Sequence, residues 1–137
     1  MQQYVELRRL VEDIETNHPA DAQRFELQDL LEHFTRISVT HHRCLDALRF
    51  AHDTGVIAPP ARSTRRRAIH DRRIAHRDSC LRRVEQLGDE LEAIDELIRL
   101  CAQRVACPEV DADLDREIDR RLWEFDEVDA AMTRLSA

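Results

Sequence analysis

The residues with the most chemical character in this chain are a run of arginines and a scatter of histidines and cysteines. Arg62-Ser63-Thr64-Arg65-Arg66-Arg67, continued by Arg72, Arg73 and Arg77, concentrates positive charge in one short stretch. A guanidinium stays protonated at any working pH and makes planar, bidentate contacts to carboxylate or phosphate. Such a block suits an acidic protein face, a phosphate backbone or lipid headgroups. The bland alternative is a solvated helix face. His41, His42, His76, Cys44 and Cys80 carry zinc-type ligand atoms. No CxxC or HxxxH pair joins them, however. The expectation is therefore no metal and no cofactor, with the cysteines as small core thiols and His41 as a seam residue that fixes helix register, and a metal-binding helical bundle is the minor alternative.

Enzyme templates fit poorly. All 21 basic residues are arginine, which removes the Schiff-base lysine and the phosphate-loop lysine. A ferritin-like iron site needs paired Glu-x-x-His motifs, and only Glu15-x-x-His18 has that spacing. Residues 91–104, LEAIDELIRLCAQR, resemble the first-helix motif of the all-helical chorismate mutases. The resemblance implies a cationic pocket. Here the motif arginine falls one residue early after Asp95, a rotation of about 100° on a helix, and the pocket's usual lysine has no counterpart. No catalytic residue is assigned, and the expected function is non-enzymatic.

The elements that position the arginines follow from composition and periodicity. The chain has 137 residues, 42% apolar and 36% charged, with two glycines and four prolines. That leaves room for one modest core and almost no turn punctuation, so an all-α domain spanning 1–137 is expected. Apolar three-four spacing predicts helices over about 3–16, 19–54, 63–106 and 109–135. Asn17-His18-Pro19, Gly55 with Pro59-Pro60, and Cys107-Pro108 break them. The second seam reads Leu27, Leu30, Phe34, Ile37, His41, Cys44, Leu48, Ala51. The third reads Cys80, Val84, Leu87, Leu91, Ile94, Ile98, Cys101, Val105, and upstream of Cys80 it thins to Ile69 and Ile74. Met1 to Leu10 lacks a continuous apolar run, and no window is long and apolar enough for a membrane span. A soluble, cytoplasmic protein is the expectation.

Short connections make neighbouring helices antiparallel. Matching the two central helices end to end places His41 near His76 and Ile37 near Cys80. The outer helices then cover one end only, giving an antiparallel bundle of four helices. Its two long central helices would project about 27 Å as a coiled-coil-like hairpin over about 36–80. Charge follows the same division: 12 arginines and 4 acids lie between Arg36 and Arg83, in a chain of net charge −7. The expected role is an interaction or assembly module whose basic hairpin docks an acidic protein surface or a second copy in a homo-oligomer. Its partner-binding residues would be Arg62, Arg65, Arg66, Arg67, Arg72, Arg73 and Arg77. Its seam would be Ile37, His41, Cys44, Leu48, Ile69, Ile74 and His76. The alternative is a nucleic-acid accessory protein making phosphate contacts without reading sequence. Phe50 is the hairpin's single aromatic, poor provision for base stacking. A membrane surface would need more apolar residues than Ile69 and Ile74.

Overall fold

The computed structural model describes residues 2–53, 63–108 and 111–136. Among them the regular structure is entirely helical: α1 (Gln2–Asn17), α2 (Pro19–Arg24), α3 (Leu27–Asp53), α4 (Thr64–Ala106) and α5 (Ala112–Ser136). The long pair α3 and α4 packs together as a hairpin. No helix among the described residues is long and apolar enough to cross a membrane.

Five helices stand where the apolar pattern predicts four, because the second predicted helix is broken at Phe25 and Glu26. Phe25 and Leu27 are 1% and 0% exposed. Two positions apart on an α-helix they would point about 200° away from each other, so an unbroken helix cannot aim both into one core. The chain resolves this at Glu26, which takes the left-handed conformation with φ 52°. The Glu26 amide donates back to the Gln23 carbonyl at 3.2 Å, and the next helix opens as the Leu30 amide donates to the Glu26 carbonyl at 3.0 Å. No glycine or proline marks the break. The starts of α4 and α5 are capped by side chains. Ser63 Oγ accepts from the Arg66 amide at 3.5 Å at the start of α4, and Asp111 Oδ1 accepts from the Leu114 amide at 3.0 Å at the start of α5.

The chain divides into two compact units, Met1–Arg36 with Glu92–Ala137, and Ile37–Leu91. The first holds most of the apolar core. Leu7, Val11 and Ile14 of α1, Leu30, Leu31 and Phe34 of α3, Ile94, Leu97, Ile98 and Cys101 of α4, and Ile118 and Leu122 of α5 are all buried. Burial pushes the Cys101 thiol up to about 12, which leaves it protonated and inert. Polar ties at the rim fix how the helices meet. The Asp95 carboxylate, 9% exposed, accepts from Gln3 Nε2 at 2.9 Å and from Arg99 Nε at 2.6 Å, and Arg99 also reaches Glu6 at 3.6 Å. The aspartate and arginine of the LEAIDELIR stretch thus bind each other and α1. At the other rim Asp115 of α5 accepts from Arg104 Nε of α4 at 2.8 Å and pairs with Arg24 of α2 at 3.7 Å.

Two outcomes test this account. Glu26→Gly removes the Cβ strain of a left-handed residue and should raise stability by up to about 1 kcal/mol in thermal melts. Glu26→Val should lower it. The hydrogen bond from Arg104 holds the Asp115 carboxyl below its ordinary value of 3.8, so the folded chain binds that proton more weakly than the unfolded chain. The stabilisation is therefore complete above the unfolded value and is lost as pH falls through the folded one. A plot of Tm against pH should fall below about pH 4 and become flatter there in Asp115→Asn.

Candidate functional site

The hairpin unit, Ile37–Leu91, contains the residues singled out by type and spacing. Partners on α4 run backwards as α3 runs forwards: His41 lies opposite Gly88, whose Cβ position is 3.7 Å from His41 Nε2, and Cys44 lines a cavity of about 260 Å³ with Cys80, Arg82 and Arg83. The two helices are antiparallel in a register shifted from the one expected. His41 Nε2 meets Gly88, twelve residues or roughly 18 Å further along α4 than His76. The expected register matched the helix ends at Asp53 and Thr64. The observed one leaves the first turns of α4 extending beyond the end of α3, and every side chain from Ser63 to Ile69 is exposed.

The shift redistributes the predicted seam. Ile37 is buried, and His41, Cys44, Leu48 and Ile74 are half-buried. Ile69 is 56% exposed. His76 is exposed, with Nε2 3.7 Å from Cys80 Sγ one turn on. The zinc-type atoms do not converge: among the described residues no three His, Cys, Asp or Glu side chains could hold one metal ion.

The arginines differ sharply between the units. In Met1–Arg36 with Glu92–Ala137, Arg8, Arg24, Arg99, Arg104, Arg116, Arg120 and Arg121 each pair with a carboxylate. In the hairpin, Arg49 reaches Asp46 at 3.7 Å and Arg77 reaches Asp78 at 3.6 Å. Arg65, Arg66, Arg67 and Arg72 are exposed and make no ion pair with the described residues. Arg73 is also exposed, and Arg62 lies outside the described residues. Arg43, Arg82 and Arg83 of the hairpin likewise make no ion pair with the described residues, and Arg65, Arg66 and Arg67 sit in the first turn of α4, where the helix macrodipole already adds positive potential.

Helical periodicity did not single out a second surface, on the other unit. Glu26, just before α3, and Asp29 and Glu32 on its first turns meet Asp126 of α5 around a cavity of about 280 Å³ also lined by Leu122 and Phe125. His33, 5% exposed, sets its ring edge-on to Phe125 with centroids 6.0 Å apart, and Arg36 also lines the cavity. Burial raises the Glu26 carboxyl, and Asp126 and Asp29 add repulsion in the same direction. Beside this cavity on α5, Trp123 is 63% exposed. The spacing of the three acids was readable in the sequence; their meeting with α5 was not.

The chain matches no protein-family model, no curated protein and no solved structure. Its surfaces therefore carry the functional argument by themselves. The observed register has its own test at Gly88, where an added Cβ would meet His41 at ordinary contact distance. Gly88→Ala should stabilise the chain by about 1 kcal/mol through helix propensity. A bulkier Gly88→Leu should lose that gain by crowding His41, and thermal melts of the two variants check both.

Proposed function

We propose that this protein is a non-enzymatic interaction or assembly module. Its coiled-coil-like hairpin docks an acidic surface of another protein chain through the arginines that open α4. The observation that carries this reading is the absence of ion pairs on Arg65, Arg66, Arg67 and Arg72 among the described residues, while seven of the other unit's ten arginines pair with a carboxylate. An unpaired, exposed guanidinium keeps its full capacity for a bidentate carboxylate contact. Ile69 lies among these arginines, and the half-buried Leu48 and Ile74 give the same unit apolar area for a protein partner. The single aromatic Phe50 gives a nucleic acid little to stack on.

The test uses poly-L-glutamate as the acidic probe and a single-stranded oligonucleotide of similar charge as the competitor. Wild type should retain poly-L-glutamate at low salt and release it at high salt. Reversing Arg65, Arg66 and Arg72 to Glu should abolish retention. Melting and far-UV circular dichroism should stay nearly unchanged, because exposed charges contribute little to stability. Undiminished binding by the triple variant would make the arginine block a plain solvated face. Tighter binding of the oligonucleotide than of poly-L-glutamate would move the reading to a phosphate-contacting accessory protein.

A further inference from the structure

Two exposed helix faces of this chain have the same design with opposite charge. On α4, Ile69 is 56% exposed and is flanked at the helix-neighbour positions by Arg65, Arg66 and Arg72, which have no ion pair among the described residues, and by Arg73. On α5, Trp123 is 63% exposed and is flanked at the equivalent positions by Asp119, Asp126, Glu127 and Arg120. Arg120 is already held by Glu117 and Glu124 at 3.8 and 3.9 Å, and Asp119 only touches Arg24 at 4.0 Å. Asp126 and Glu127 are exposed and make no ion pair with the described residues.

Resting on the docking reading above, we infer that the partner is a second copy of this chain: the Ile69-centred arginine face of α4 in one copy docks on the Trp123-centred acidic face of α5 in another. Charge complementarity selects this occupant. Each face supplies one apolar centre ringed by charges opposite to those of the other. Trp and Arg are the side chains that most often anchor protein interfaces, and a guanidinium stacked on an indole gains from the ring's negative face. Repulsion between like faces disfavours the other two pairings. An arginine face meeting an acidic face is a heterologous contact, which closes into a ring or dimer or continues as an open chain.

Trp123 is the chain's single tryptophan, so its emission reports the contact directly. Light scattering and tryptophan emission are followed on the full chain from about 1 to about 100 µM at low and high salt. At low salt the mass should rise with concentration while emission moves to shorter wavelength, and high salt should reverse both. Arg65, Arg66 and Arg72 reversed to Glu in one variant, and Asp126→Arg with Glu127→Arg in another, should each give monomers with solvent-exposed emission. Mixing the two variants should restore association to within about tenfold of wild type, because one variant keeps the arginine face and the other keeps the acidic face. If circular dichroism shows that a reversal unfolds the chain, the neutral Arg→Gln set and Trp123→Ala make the same test. Monomeric wild type throughout, or association that survives both reversals, overturns the inference. A monomer that still retains poly-L-glutamate through its arginines would keep the docking function and exclude only the second copy as its partner.

Discussion

Two helices packed against each other cover only part of each other's apolar stripe, and the character of the hairpin unit follows from that constraint. A helix in a globular core buries an apolar stripe 100° wide or more, which takes more than one neighbour. In the first unit, α5 meets the start of α3 where His33 sets its ring edge-on to Phe125, and Leu30, Leu31 and Phe34 there are at most 4% exposed. Further along α3, within the hairpin, His41, Cys44 and Leu48 are only half-buried. One helix therefore passes from a closed environment to an open one within its own length. Its residue types follow, with leucine and phenylalanine giving way to histidine and cysteine.

Charge obeys a related logic. A carboxylate in reach fixes a guanidinium in place, as Asp95 fixes Arg99 and Asp115 fixes Arg104. Those pairs are at the rim of a core that excludes water from one side, where a well-aligned charged hydrogen bond has its greatest effect. The arginines that open α4 have no such core beside them and only Asp71 and Asp78 nearby in sequence. No carboxylate among the described residues pairs with the arginines in the first turn of α4, and the helix tolerates this because water screens exposed charge.

Much of the architecture was legible from three-four spacing and helix breakers. The helical class, the ends near Pro19, Ser63 and Cys107, and the caps at Ser63 and Asp111 all follow from local chemistry. The break at Glu26 did not, because it is imposed by the joint burial of Phe25 and Leu27, and no turn residue marks it. The hairpin register was missed for a different reason. Sequence gives the phase of each seam around its helix, but sliding one heptad past another preserves that phase. The contact of His41 with Gly88 and the cavity that Cys44 shares with Cys80 and Arg83 distinguish the true alignment. The acidic cavity was half legible: the spacing of Glu26, Asp29 and Glu32 was visible, and the arrival of Asp126 from α5 is a tertiary fact.

The hydrogen bond between Gln3 and Asp95 joins residues 92 positions apart. On a ribosome adding about 5–20 residues per second, the first helix waits roughly 5–18 s for its partner on α4 to be made. During that interval Leu7, Val11 and Ile14 have only α2 and the start of α3 to lie against. Of these two partners, the one made first is thus enclosed only after the second has been made. Nascent chains of this protein carry an uncovered amphipathic helix during that interval, the kind of surface that holding chaperones recognise.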